Sequence, residues 1–253
     1  MMTKPILELK GVCKRFGGVV ASDYVDFSVY PGSIHALIGP NGAGKTTMLN
    51  LISGIYQVDE GEIHLGQQQI TKLPAHQRSR LGMGRTFQAP RFLQRANIRE
   101  NLLIAIDLKD QTGHVRSFLG KGIVGFESEL KRLVEVAELD LDLEDDITSL
   151  AYGQSKLLEI VRAMLARPKV MLVDEPAAGL NGNEQGRVIA LLKLAAAEGI
   201  GVVLIEHHMD MVISTCNEIT VLNFGKVIAE GDPQSILHNE HVIEAYLGRK
   251  KSC

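Results

Sequence analysis

The segment Gly39-Pro40-Asn41-Gly42-Ala43-Gly44-Lys45-Thr46-Thr47 constrains this chain more than any other. It follows a short apolar run, Ile34-His35-Ala36-Leu37-Ile38, and leads into Lys45–Ile52, where Met48, Leu49 and Ile52 recur at helical spacing. A strand, a glycine-rich turn and a helix in that order match the pattern GxxxxGK[ST]. Glycines let successive backbone N–H groups converge on a polyphosphate at a helix N-terminus. Lys45 then reaches the β- and γ-phosphates, and the Thr46 hydroxyl is placed to ligate Mg²⁺. The alternative is a chance glycine turn, and the strand-to-helix context weighs against it.

The rest of the chain alternates in the same style. Ile6–Phe16 and Tyr24–Val29 read as N-terminal strands, the second turning at Pro31-Gly32. Val170–Val173 and Val202–Ile205 are continuous aliphatic runs, as expected of parallel strands covered on both faces. Gln185–Ala197 reads as the crossover helix between them. Ile219–Leu222 and Lys226–Glu230 form a terminal pair turning at Asn223–Gly225, and His238–Tyr246 reads as one helix. The middle differs. Asn97–Leu108, Glu127–Leu139 and Gln154–Ala166 favour helix, the last with an apolar stripe of Leu157, Ile160, Val161 and Met164. Lys109–Gly125 is glycine-rich and reads as a loop, and Arg249-Lys250-Lys251 as a solvated end. The expected fold is therefore an α/β core over 1–88 and 167–253, interrupted by a mostly helical insert at about 89–166.

Further signals fall on strand ends and helix starts. Val170-Met171-Leu172-Val173 ends in Asp174 and Glu175, at the edge where α/β sheets place their ligands. Asp174 suits Mg²⁺, and Glu175 suits acceptance of a proton from an attacking water; a solvated acidic turn is the plain alternative. Leu204-Ile205-Glu206-His207 is another buried strand with a polar end, where His207 is either a γ-phosphate donor or a structural histidine. Leu150-Ala151-Tyr152-Gly153-Gln154 opens a helix, as either a second phosphate-docking N-terminus or an ordinary helix entry. Gln88 and Phe16 are undistinguished taken singly.

Taken together in order, the phosphate loop, Gln88, Leu-Ala-Tyr-Gly-Gln, Asp-Glu-Pro and His207 resemble an ABC-transporter ATPase domain over about Pro5 to Gly248. The resemblance implies a P-loop NTPase fold of the ABC type, with a RecA-like mixed-sheet core, an N-terminal antiparallel part and a helical subdomain. It implies roles that spacing cannot supply. Phe16 matches the aromatic that stacks on adenine. Gln88 matches the glutamine that contacts Mg²⁺ and links the site to the membrane partner. Ala151, Tyr152, Gly153 and Gln154 match the signature loop over the ATP of an opposing subunit, and Ala177–Asn181 match the D-loop. ATP and Mg²⁺ are the implied ligands, and the implied partners are a second ATPase subunit, membrane permeases and, indirectly, a periplasmic binding protein. A heterodimer is favoured, because the branch usually pairs two different ATPase subunits. Leu-Ala-Tyr-Gly-Gln, Gly84-Arg85-Thr86-Phe87-Gln88, Glu-Pro-Ala-Ala-Gly-Leu-Asn at 175–181 and Ala245-Tyr246-Leu247-Gly248 resemble the branched-chain amino-acid importer branch, whose pattern urea/amide importers largely share. Three positions depart from the general ABC pattern: Ala151 replaces a serine, Asn181 an aspartate, and His208 follows His207 where an aspartate is common. Hydrolysis is expected to survive all three.

Composition narrows the classes. The 253 residues are 45% hydrophobic, with a formal net charge of −3, which gives no support for nucleic-acid binding. The chain has no heptads or paired cysteines between the phosphate loop and the signature, unlike ABC ATPases that act on DNA. A regulatory module that binds nucleotide without turnover is disfavoured by Glu175 and His207. The longest apolar runs fall far short of the roughly 18 residues of a spanning helix. Met1-Met2-Thr3-Lys4-Pro5 has no apolar leader pattern. The expected location is the cytoplasmic face of the bacterial inner membrane, held there by partners. Cys13, Cys216 and Cys253 are scattered and read as free thiols.

Overall fold

The computed structural model describes residues 4–107 and 123–247. Most of the loop expected over 109–125, together with Gly248, the basic end at 249–251 and Cys253, lies outside the described residues.

Two sheets organise the chain. Strands β1 (Leu7–Phe16), β2 (Val19–Val29), β4 (Glu60–Leu65) and β5 (Gln68–Gln69) form an antiparallel sheet in the order β2-β1-β4-β5. Strands β3 (Ile34–Ile38), β6 (Met83–Arg85), β7 (Val170–Asp174), β8 (Gly201–Ile205), β9 (Glu218–Asn223) and β10 (Lys226–Gly231) form the second, in the order β10-β9-β3-β8-β7-β6. It is parallel from β9 to β6, with β10 antiparallel at one edge.

The second sheet shows why its central strands are apolar throughout. Successive side chains point to opposite faces. Ala36, Met171, Val173, Val202 and Leu204 pack into one core with helices α5 (Tyr152–Leu165), α6 (Gly182–Ala197) and α7 (Met209–Thr215). Leu37, Val170, Leu172, Val203 and Ile205 pack into the other, with the antiparallel sheet and α1 (Lys45–Ser53). Both faces are buried, so no polar alternation survives. The α1 helix, which follows the phosphate loop, ends on a buried guanidinium. Arg78, in α2 (Ala75–Arg80), donates from Nη1 to the carbonyls of Leu51 and Ile52 at 2.7 and 2.8 Å. The Leu51 carbonyl also accepts from the Gly54 N–H at 3.2 Å, and the buried arginine adds a donor to it and to the Ile52 carbonyl at the helix end.

Between β6 and β7 the chain runs through α3 (Ile98–Asp107), α4 (Ile123–Val136) and α5. The α4 helix begins at Ile123, so the last residues of the expected loop are helical. The helix expected over His238–Tyr246 is α9 (Glu240–Leu247), and a further short helix that was not expected, α8 (Pro233–Leu237), precedes it. Asp232 caps α8 by accepting from the Gln234 and Ser235 N–H groups, with Pro233 at the first helical position. Asn239 accepts from the His241 and Val242 N–H groups at the start of α9. The Asn239 cap sets the start of α9 two residues after the expected one, and the Asp232 cap with Pro233 sets α8. Among the described residues, no helix is long and apolar enough to cross a membrane. Cys13 and Cys216 are buried free thiols.

Candidate functional site

Strands β3, β8 and β7 are neighbours in parallel register, Ala36 and Val173 both facing Leu204 and Asp174 facing Ile205. Their C-terminal ends therefore open on one edge, and the three polar segments that follow them meet there. Gly44 takes φ 106° as the residue preceding α1, and a Cβ on it would lie 2.4 Å from the Ala21 carbonyl oxygen. Only glycine permits both that dihedral and that approach. Gly39 and Ala43 are buried, Pro40 and Thr47 half-buried, and Asn41, Gly42 and Thr46 exposed.

Lys45 is buried, and its Nζ donates to the carbonyls of Gly39 at 2.7 Å and Pro40 at 3.0 Å. Burial lowers its ammonium pKa, and the Glu175 and Asp174 carboxylates draw it back up. The phosphate loop and the acidic pair therefore share one electrostatic environment. Asp174 is also buried, which pushes its carboxyl up, opposed by the Arg85 guanidinium at 3.8 Å.

Glu175 is the meeting point. One carboxylate oxygen accepts from Gln88 Nε2 at 2.9 Å and the other pairs with His207 Nε2 at 2.6 Å. A carboxylate only accepts, so Nε2 of His207 carries the proton in this arrangement. Two residues from separate segments converge on the carboxylate of a third. Thr46, Gln88 and Asp174 offer a hydroxyl, an amide oxygen and a carboxylate, a hard oxygen set suited to Mg²⁺. Phe16 ends β1 with its ring 43% exposed, edge-on to Tyr56 at 5.3 Å between centroids.

The Ala151–Gln154 loop sits apart from these contacts. Among the described residues, no hydrogen bond joins it to Lys45, Thr46, Asp174 or Glu175. Ala151 and Tyr152 are exposed at the start of α5. Ala151 has no side-chain acceptor, so only half of a capping box forms: Gln154 Oε1 accepts from the Ala151 N–H at 3.0 Å. Gly153 is packed so closely that a Cβ would lie 2.0 Å from Glu184 Oε1.

A family model described as ABC transporter matches residues 22–178. The chain is also 40% identical to the high-affinity branched-chain amino acid transport ATP-binding protein BraF of Pseudomonas aeruginosa, over 98% of this chain and 99% of that one. This chain belongs to the ABC transporter family. A second model, described as branched-chain amino acid ATP-binding cassette transporter, matches residues 226–251. The chain is 37% identical to the high-affinity branched-chain amino acid transport ATP-binding protein LivG of Escherichia coli K12, over 98% and 99% of the two chains. Among solved structures it is similar to the ADP conformation of MJ1267, an ATP-binding cassette of an ABC transporter, with a TM-score of 0.83 and 31% identity over 98% of this chain and 100% of that one. A nucleotide-free ATP-binding cassette from an ABC transporter gives 0.80 and 30%, over 97% and 100%. The expected ABC ATPase fold is the one observed.

Two of the departures from the ABC pattern have local explanations. Asn181 accepts from the Asn183 and Glu184 N–H groups and Glu184 returns the bond to the Asn181 N–H, so an uncharged amide completes a full capping box on α6. His208 Nδ1 lies 3.1 Å from Glu206 Oε2. Glu206 is a residue whose role sequence reasoning missed. It is 2% exposed, and its carboxylate accepts from the N–H groups of Ala177, His207 and His208. It therefore ties the 177–181 loop to the histidine segment. Its position directly after an apolar strand was visible, but three backbone donors from two segments were not. Lys156, Glu159 and Arg85 were missed in the same way.

Proposed function

We propose that this chain is the ATP-binding and ATP-hydrolysing subunit of an ABC importer that energises uptake of branched-chain amino acids across the bacterial inner membrane. The convergence of Gln88 and His207 on Glu175, beside Lys45 and Asp174, carries the hydrolytic reading. The named relatives carry the substrate class. The chain works as one of two cassettes, with a second, different ATPase subunit favoured. It sits peripherally on transmembrane permeases at the cytoplasmic face, served indirectly by a periplasmic binding protein, and takes no nucleic acid. Residues 89–166 are the helical subdomain, set in a core formed by 1–88 and 167–253.

The Gly39–Thr47 loop and Lys45 hold the phosphates, and the exposed face of Phe16 stacks on adenine. Thr46, Asp174 and Gln88 would hold Mg²⁺, which would supply positive charge against the phosphates. Glu175 takes the proton of the attacking water, oriented by the amide of Gln88. With ATP bound, His207 turns its Nε2–H from Glu175 to the γ-phosphate, which frees that carboxylate oxygen for the proton of the water. Ala151, Tyr152, Gly153 and Gln154 close over the ATP of the opposing subunit, with backbone N–H groups standing in for the missing serine hydroxyl. ATP thereby joins two subunits, and hydrolysis reopens the seam.

Glu175→Gln keeps the shape of the side chain and removes its basicity. The expected result is retained ATP binding, a loss of turnover of at least about a hundredfold, and an ATP-trapped dimer on gel filtration. Near-normal turnover removes Glu175 from the base role. Uptake of labelled leucine by vesicles carrying the whole transporter tests the solute, and uptake of urea in its place would redirect the assignment.

A further inference from the structure

Helix α5 carries an apolar stripe, yet two charged side chains lie buried along it. Lys156 and Glu159 are each 2% exposed. With Gly153 before them and Arg162 after, they follow at steps of three, forming one slanted ridge on the helix. Burying a charge is costly unless it is paired and hydrogen-bonded, so the destinations of these groups matter.

Each reaches a segment that ends in the site. Lys156 Nζ donates to the Glu175 carbonyl at 3.1 Å. Glu159 Oε1 accepts from the Phe87 N–H at 3.2 Å. Arg162 donates from Nη1 to the Arg91 carbonyl at 2.7 Å and sets Nη2 3.7 Å from Glu159. Its guanidinium lies 4.6 Å from the Phe92 ring, while that of Arg91 lies 4.6 Å from the ring of Phe87. Glu159 and Arg162 thus grip the chain on both sides of Gln88, and Lys156 grips the backbone of Glu175. Glu175 itself has φ 47°, a left-handed backbone that a side-chain residue adopts only where its surroundings hold it.

We infer that Lys156, Glu159 and Arg162 are positioning residues that lock Gln88 and Glu175 of this subunit to the helix whose first turn carries Ala151–Gln154. The inference rests on the function proposed above and deepens it. A helix of 14 residues spans roughly 20 Å and moves as one body. Contact of its first turn with the opposing subunit's ATP therefore shifts the base and the glutamine of its own site. Communication between the two ATP sites runs through one rod and three side chains.

The test compares Glu159→Ala with Glu159→Gln in the full-length chain assembled with its transporter. The alanine leaves the Phe87 N–H without its acceptor, whereas the glutamine oxygen still accepts from it. The expected result for Glu159→Ala is a kcat at least tenfold lower, with KM for ATP within about twofold of wild type. Glu159→Gln is expected to restore at least half of the wild-type kcat. Hydrogen exchange of the 85–92 backbone, read without turnover, is expected to quicken at least tenfold in Glu159→Ala and to stay near wild type in Glu159→Gln. Equal kcat in all three proteins overturns the inference, as does a parallel loss of kcat and ATP affinity in both variants. A wild-type complex that does not hydrolyse ATP instead overturns the function on which the inference rests.

Discussion

At Gly153 one hydrogen atom decides the packing of two helices. The Glu184 carboxylate occupies the space a Cβ would need, and that same carboxylate accepts from the Asn181 N–H. Gly153→Ala therefore displaces the Glu184 side chain and breaks its part of the cap on α6. Loss of a cap contact of this kind costs about 1 kcal/mol. The expected outcome is a Tm lowered by several degrees and a kcat reduced at least tenfold, measured by thermal melts and ATPase assay. Unchanged kcat would show that the first turn of α5 tolerates displacement. Glycine in this pentapeptide was conspicuous in the sequence. Its packing reason was not, because Glu184 lies 31 positions away and nothing local marks it as the neighbour.

At the scale of elements, caps explain what periodicity could not. The sequence reading placed Gln185–Ala197 as a helix, whereas α6 begins three residues earlier, behind Asn181. Glycine at 182 and 186 weakens helix propensity there, and the capping box compensates. Asn181→Ala removes the acceptor for two N–H groups and is expected to lower stability by about 1 kcal/mol. Asn181→Asp keeps that acceptor and is expected to match wild type in urea unfolding. A drop as large in the aspartate variant would assign the effect to the added charge and not to the lost acceptor. The C-terminal helices teach the same lesson. The pattern over 238–246 reads as one helix and is one, started by the cap at Asn239, while the Asp232 cap with Pro233 sets the short α8 that carries no period of its own.

The whole molecule rests on two buried apolar cores sharing one sheet, with His35 between the sheets. Its ring is 1% exposed, packed 4.4 Å from Phe27; Nδ1 donates to the Ser28 carbonyl at 2.8 Å and Nε2 accepts from Thr220 Oγ1 at 2.8 Å. Burial lowers its pKa from 6.5 to about 4, against the backbone bond to Ser28, which raises it. The ring is therefore neutral at pH 7, and Glu218 at 3.7 Å is a neighbour with no ion pair to it. With Glu230 these three groups lie within 4.8 Å of one another. Below about 6.5 the unfolded chain binds a proton that the folded chain refuses, so the contribution is intact above that pH and lost as pH falls toward 4. The expected loss is on the order of 2 kcal/mol by pH 5. Urea titrations of wild type and His35→Gln at pH 7 and pH 5 check it, and the variant is expected to lack this part of the pH slope. Equal slopes would mean that the ring takes up its proton in the folded state.

The local order of residues was enough to determine the phosphate loop, the buried parallel strands with their polar ends and the helices of the middle region, because each is set by steric and hydrophobic periods acting over a few residues. The short strands β4, β5 and β6 and the helix α2 escaped that reading, since they are held by pairing with partners distant in the chain and carry little period of their own. Tertiary structure alone decided that Gln88 and His207 share the carboxylate of Glu175, that Glu206 joins two loops, and that Glu159 grips the backbone beside Gln88. Those contacts bridge 87, 32, 29 and 72 positions. A hydrogen bond across such a distance depends on sheet order and helix docking, which no stretch of neighbouring residues encodes.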